Sequence, residues 1–491
     1  MAAKSQAQQT KSQVRGFVLI WTFITLAMGM ATFLAIYYAY QPQIELSAQE
    51  VADNNNNSGG APVVVIESQT PLPATDTPIP LPTDTLIPLP TENDETEEPV
   101  VVAQAATDTP APTDTPQPTP VPPDEDETFR VGIQIQIPPD QNPDVMNGWY
   151  RSTQQMNINW VKIQVRWELI EPEQGQYDWS SIDLAMAGAR FFGIHPMLSI
   201  VTAPDWSREV GREAGISTAQ HGPPGNNEDY VTFVRNILER YPGQVYAIEV
   251  WNEQNLSREW TSMQGLSASN YVSLLRDTYN MVQEVSPGTI VISGALSPTG
   301  LDDGIGAVDD FRYMQLMIDN GLLDVTDCVG AHHNGYNIGP LVRYDSVPND
   351  PTASFRGPFD NPHHSWSFRS TLEGYTTRIR NAGSDTKLCI TEFGWAVTED
   401  LSGFPRGFEF ANDNTLDEQA QFFTEALDWM SEGDDVWLAF VWNLNYGPQA
   451  GWDATNDNVP YSLIGPDNTF RPAYDAIRDW AAAYNEQVGQ N

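Results

Sequence analysis

Between Arg130 and Trp442, short apolar runs rich in β-branched residues alternate with polar loops and amphipathic helical stretches. Periods of two and of 3.6 residues predict strands over Arg130 to Ile135, Trp160 to Val165, Ile194 to Val201, Val245 to Val250, Thr289 to Ala295, Val325 to Ala331, Lys387 to Thr391 and Val436 to Trp442. Helices are expected between them, among them Ile182 to Phe192, Tyr230 to Tyr241, Ala268 to Val285, Phe311 to Asn320 and Glu418 to Met430. Strict alternation confines a chain to a parallel sheet with helices packed outside it, because parallel neighbours need a crossover. Eight such strands predict an α/β fold, a (β/α)8 TIM barrel over residues 129–487. No glycine-rich dinucleotide fingerprint follows the first strand.

The residues before the barrel cannot share its core. Residues 1–15 carry Lys4, Lys11 and Arg15 and no acid, and are expected in the cytoplasm. Residues 16–40 are almost purely apolar, with Trp21, Tyr37, Tyr38 and Tyr40 near the ends. At about 1.5 Å per residue this run exceeds a hydrocarbon core of roughly 30 Å, so a single transmembrane signal anchor is expected. A cleaved signal peptide is the alternative, but the run is long for one and no clean small-x-small site follows. Residues 41–128 turn to Pro, Thr, Asp, Glu and Asn, with Thr-Asp-Thr repeated at Thr75, Thr83, Thr107 and Thr113. Such a Pro/Thr-rich linker buries too little apolar surface to offset its ordering entropy, and is expected to be disordered. As a polyproline stalk it reaches up to roughly 270 Å at about 3.1 Å per residue. The barrel is thus expected outside the cytoplasm on a single-pass membrane protein.

A formal net charge of −41 opposes binding to phosphate backbones, so nucleic acid is not expected as a partner. The two cysteines, Cys328 and Cys389, are too few for a disulfide framework. If His332 and Glu392 both face the barrel interior, strand alternation turns Cys328 inward and Cys389 outward, predicting two buried free thiols.

Two runs end in a glutamate. Ile248-Glu249-Val250-Trp251-Asn252-Glu253 closes the fourth expected strand and Ile390-Thr391-Glu392-Phe393-Gly394-Trp395 the seventh. A single strand-end carboxylate is usually a solvated or ion-paired side chain, but two at the C-terminal mouth of one barrel suffice to cleave a glycosidic bond. The early strands are unusual for a parallel sheet, since Gln134 and Gln136 share one face, Lys162, Gln164 and Arg166 another, and Glu249 has the parity of Glu253. A buried polar network with Lys162 facing Glu249 is expected, because an unpaired buried charge costs too much.

Trp251-Asn252-Glu253 and Thr391-Glu392-Phe393-Gly394 resemble the signatures of the glycoside hydrolase clan A, which includes cellulases, β-xylosidases and related β-glycanases. Val165-Arg166-Trp167, the stretch Glu171 to Trp179, Ala203-Pro204-Asp205-Trp206 and Phe470-Arg471-Pro472-Ala473-Tyr474 are similar to further blocks of that clan, in the same order. The resemblance implies a retaining glycosidase with Glu253 as general acid/base and Glu392 as nucleophile. The proximity of an ionised Glu392 is expected to raise the pKa of Glu253 and keep it protonated. The resemblance further implies that Asn252 bonds the sugar 2-hydroxyl, that Arg166 keeps the nucleophile ionised, that His332 and Tyr336 line the site, and that Trp442 forms the floor under the scissile sugar. An interior ion pair of Arg166 with Glu249 is the plainer expectation and is compatible with that role. The sequence departs from the clan at Asn334, where a tyrosine is usual, and at Gln254, where a proline is.

Trp206, Trp260 and Trp395 are further candidates for stacking on sugars, although among fifteen tryptophans most must be core. His332-His333 and His363-His364 lack zinc-ligand spacing, and adjacent residues of a strand diverge, so no metal and no cofactor are expected in the active site. The partners expected are a carbohydrate substrate and the membrane, with a monomeric catalytic domain. A barrel that binds glycans without cleaving them is the alternative.

Overall fold

The computed structural model describes residues 127–208 and 221–489. The cytoplasmic segment, the anchor and nearly all of the linker expected from the sequence lie outside these. Among the described residues no helix is long and apolar enough to cross a membrane.

Eight strands form one parallel sheet: β1 (Arg130–Gln134), β2 (Trp160–Arg166), β3 (His195–Val201), β4 (Ala247–Val250), β5 (Ile290–Ser293), β6 (Val329–Gly335), β7 (Leu388–Trp395) and β8 (Val436–Val441). Each is followed by a long helix: α1 (Pro143–Gln155), α2 (Ser180–Phe192), α3 (Asn227–Arg240), α4 (Ala268–Val285), α5 (Asp310–Asp319), α6 (Phe368–Asn381), α7 (Leu416–Glu432) and α8 (Pro472–Val488). The ladder runs β5-β4-β3-β2-β1-β8-β7-β6, and β1 pairs with β8. Between β5 and β6 the ring closes through the bridges Ile292↔Cys328 and Leu296↔Ala331. Side chains supplement that seam, with Ser293 N donating to Thr326 Oγ1 (3.0 Å) and Gly330 N to Ser293 Oγ (3.0 Å). Closure brings the backbones so near that a Cβ on Gly330 would lie 1.9 Å from the Ser293 carbonyl oxygen. This is the expected (β/α)8 barrel.

Local signals explain where the helices begin. Asn142 caps α1 by accepting from Asp144 N (2.9 Å), with Pro143 in the first turn. Thr415 and Glu418 form a reciprocal capping box on α7. The strand β6 lies four residues later than the apolar run predicts. Its C-terminal half, His332-His333-Asn334-Gly335, is polar yet fully paired to β7, because the mouth of the barrel is where polar side chains are needed.

The cysteine expectation is overturned. Cys328 and Cys389 form a disulfide, with Cα atoms 5.7 Å apart, inside an apolar cluster on the barrel axis that includes Trp160, Met197, Ile292 and Phe440. Ala331 pairs with Ile390 but His332 with Glu392, so β7 carries one extra residue at Thr391. A bulge reverses side-chain parity across itself. Counting back from Glu392 therefore sends Cys389 outward on paper, while the strand turns it inward.

Candidate active site

Glu253 stands three residues beyond the end of β4, on a backbone that leaves the strand sharply. Trp251 (φ 76°) and Glu253 (φ 44°) both occupy the left-handed region, which side-chain-bearing residues adopt at a cost of order 1–3 kcal/mol. The backbone of β3 and of the loop after β5 holds them there. Trp251 N donates to Ile200 O (3.1 Å) and Glu253 N to Ala295 O (2.9 Å). The fully buried Gln254 donates to Gly294 O (2.7 Å), and Asn255 donates to Ser297 O (2.9 Å) and Val308 O (3.1 Å). At Gln254, where the clan usually has proline, a side-chain amide thus secures the turn against the loop after β5.

Glu392 enters from β7 and His332 from β6, and His332 lies between the two glutamates. Its Nδ1 is 3.3 Å from Glu253 Oε1 and 3.7 Å from Glu392 Oε2, which puts those oxygens no more than about 7 Å apart, the sum of the two. Beneath them Lys162 Nζ lies 2.9 Å from Glu392 Oε1 and 3.3 Å from Glu249 Oε2, with the lysine and Glu249 fully buried. Thr391 Oγ1 donates to Glu249 Oε1 (2.6 Å). The interior network expected around Lys162 and Glu249 is present, and it extends to Glu392.

Charge explains the ionisation of each group. Burial works against the Lys162 ammonium, but Glu249 and Glu392 outweigh it and hold the lysine above its ordinary value. Burial likewise opposes the Glu249 carboxylate, and Lys162 and His332 reverse the sign and lower it. His332 loses basicity to burial and regains more from Glu392 and Glu253, ending above its ordinary value.

Glu253 departs from the expectation that Glu392 keeps it protonated. Burial does favour the neutral acid, but an ion pair with Arg258, reinforced by His332, holds the carboxyl well below the usual range. Arg258 also lies 3.4 Å from Glu259, whose carboxyl burial pushes up to about 7 despite that cation.

Arg166 is corrected as well. Its ion pair is with Glu168 and its side chain is 41% exposed, so the cation on Glu392 is Lys162, four residues earlier on the same face of β2. Asn252 is buried beside Glu253, with Oδ1 lacking a hydrogen-bond partner among the described residues. Tyr336 packs edge-on to Trp366 (4.4 Å) and Phe410 (4.8 Å); burial and the charge of Glu253 push its hydroxyl up to about 12. Trp442 caps an aromatic cluster with Phe408, Phe410 and Tyr461, and Tyr446 tilts against it at 5.2 Å. Trp206 keeps part of its ring accessible, packed edge-on to Trp167 and donating to Glu171 O (2.9 Å).

Trp395 is not at the mouth. It is buried between β7 and the helices α6 and α7, against Phe368, Phe422 and Phe423, and donates to Ile338 O (3.2 Å). With Glu392 facing inward, alternation sends Phe393 and Trp395 outward. Trp260 is core too, packed on Trp251 and Tyr271. Sequence reasoning missed Arg258 as a partner of Glu253, which no periodic signal marks. It also assigned the cation of Glu392 to Arg166, although Lys162 shares that face.

One family matches in sequence: glycoside hydrolase family 42, described as beta-galactosidase, over residues 137–286, a stretch shorter than half the chain. No curated protein matches. Among solved structures, GH5_18 from Streptomyces cattleya, in complex with GlcNAc, superposes with a TM-score of 0.50 at 13% identity, covering 73% of this chain and 80% of that one. A family 39 glycoside hydrolase from Bacteroides cellulosilyticus (TM-score 0.49, 17% identity) is covered over 64% of its length by 73% of this chain. An exo-beta-1,4-mannosidase from an Opitutaceae bacterium (0.48, 16%) is covered over 60% by 73% of this chain. The chain thus spans under two thirds of the length of these last two. In its barrel, and in sequence over residues 137–286, the chain is similar to the clan A glycoside hydrolases.

Proposed function

We propose that the protein is a glycoside hydrolase that cleaves β-glycosidic bonds with retention, Glu392 acting as nucleophile and Glu253 as general acid/base. The observation that carries this reading is the single His332 imidazole within 3.7 Å of both carboxylates, with Lys162 on the far side of Glu392. A carboxylate oxygen of Glu392 attacks the anomeric carbon as its bond to the leaving oxygen breaks, and Glu253 donates a proton to that oxygen. Glu253 then takes a proton from water, which attacks the glycosyl-enzyme and releases Glu392. Lys162, 2.9 Å from Glu392 Oε1, pairs with the nucleophile and aims it. Because Arg258 holds Glu253 ionised at rest, the acid step requires that ion pair to loosen as substrate enters. The unpartnered Oδ1 of Asn252 and the half-buried Trp206 support a sugar site beside Glu253.

The matched family suggests β-galactosides as the first sugars to try. Residues 16–40, with their basic flank, support a signal anchor that holds the barrel outside the cytoplasm on the stalk of residues 41–128.

The test is turnover of a panel of aryl β-glycosides by the full chain beside Glu392→Gln and Glu253→Gln, with the anomer of the first product read by NMR. Glu392→Gln is expected to abolish turnover and the parent to yield the β-anomer first. An α-anomer first would overturn retention, and no turnover with glycan binding equal in all three proteins would replace catalysis by a binding receptor.

A further inference from the structure

Away from the glutamates, where the β5–α5 connection meets the β6–α6 connection, two histidines and two aspartates converge. Asp309 is the N-cap of α5, its Oδ1 accepting from Arg312 N (2.9 Å), and Asp310 is the first residue of that helix. His363 and His364 come from the opposite connection. There His364 opens a short 3-10 turn, and adjacent side chains do not diverge as they would on a strand. Asp309 Oδ2 is 3.8 Å from His363 Nε2 and 4.0 Å from His364 Nε2, and one donor atom from each of the three residues lies within 4.8 Å of the others. Asp310, fully buried, meets His364 Nε2 at 2.9 and 3.1 Å.

We propose that Asp309, Asp310, His363 and His364 form a binding site for a borderline divalent cation of the zinc type, tying the two connections together. Bond lengths of about 2.0–2.2 Å in a tetrahedron place ligand atoms about 3.3 Å apart. The donor atoms of Asp309, His363 and His364 lie within 4.8 Å of one another and Asp310 lies 2.9 Å from His364 Nε2, so side-chain shifts are needed to bring all four to that spacing. The cation takes the place of the proton between His364 Nε2 and Asp310, and that proton goes to solvent.

The outer groups that orient such ligands are in place. Asp310 accepts from Tyr375 Oη (2.7 Å) and Thr299 N (3.1 Å), and His363 Nδ1 lies 2.9 Å from Ser365 Oγ, leaving Nε2 toward Asp309. His364 is fixed further by stacking on Phe311 at 3.5 Å. A cavity of about 490 Å³, lined by Asp309, His363 and His364 among others, gives an ion access from solvent. Two arginines also line it, and the charge of Arg378 is felt by Asp309 and Asp310, but neither guanidinium is hydrogen-bonded to a proposed ligand. Arg312 pairs with Asp302 (2.6 Å), and Arg378 lies over the Phe311 ring (3.9 Å) and donates to Phe311 O (3.1 Å). Two carboxylates and two imidazoles suit zinc rather than magnesium, which prefers oxygen ligands and retains its water.

The experiment titrates zinc chloride into the chelator-treated full chain by calorimetry, with magnesium chloride as control, and records Tm with and without zinc. One zinc per chain and a Tm rise of roughly 3 °C or more are expected, with no response to magnesium. Asp309→Asn keeps the helix cap, since asparagine caps as well as aspartate, but removes a charged ligand. His363→Ala removes a side chain that is 25% exposed, and both variants should fold. Each is expected to weaken zinc binding at least tenfold while leaving the metal-free Tm close to that of the parent. Absence of saturable zinc binding, or equal affinity in parent and both variants, would overturn the proposal.

Discussion

Lys162 and Glu392 are 230 residues apart in sequence and 2.9 Å apart in the barrel, an ammonium from β2 against a carboxylate from β7. The same ammonium reaches Glu249 on β4 at 3.3 Å, so one buried cation answers two carboxylates. Replacing it leaves Glu249 buried without its cation. Lys162→Met is expected to destabilise the barrel by about 3–5 kcal/mol, measured by urea unfolding, and to depress turnover at every pH. A variant as stable as the parent would show that the network carries no net charge to compensate.

The pair Arg258–Glu253 sets a pH dependence. Glu253 is held below its ordinary value of 4.5, so the ion pair's stability is present above that value and lost as pH falls through the lower, folded pKa. For catalysis the direction matters differently, since a general acid works only while protonated. Arg258→Met removes the cation, raises the Glu253 pKa and should move the basic limb of the pH–rate profile upward. A limb that stays in place would detach Arg258 from the acid step.

Reduction should weaken the barrel measurably. The Cys328–Cys389 bond closes a loop with a sequence separation of 61, for which chain entropy gives about 4 kcal/mol. Thiol titration of the unfolded, unreduced protein is expected to find no free thiol, and Cys328→Ala with Cys389→Ala to lower the urea midpoint. Two titratable thiols per chain would contradict the structure.

Gly330→Ala tests the seam between β5 and β6. A methyl 1.9 Å from the Ser293 carbonyl oxygen meets backbone, which cannot rotate away, so the strands must part. The expected loss is about 3 kcal/mol or more, read by thermal unfolding, at the top of the range for overpacking. A loss below about 1 kcal/mol would mean the seam is loose.

The sequence by itself determined the architecture and the two strand-end glutamates. Strand and helix periods report which face of a single element is buried, and Val245 to Val250 or Ala268 to Val285 carry that signal within their own residues. What lay between elements was decided by the tertiary structure alone. One extra residue at Thr391 reversed the parity that had separated Cys389 from Cys328. The cation of Glu392 proved to be Lys162 rather than Arg166 because the two share a face, and only depth along the barrel axis distinguishes them. Arg258 reached Glu253 through a turn whose left-handed residues no propensity predicts. Each of these depends on a register or a loop path fixed by contacts far away in the chain, and a local pattern holds no record of them.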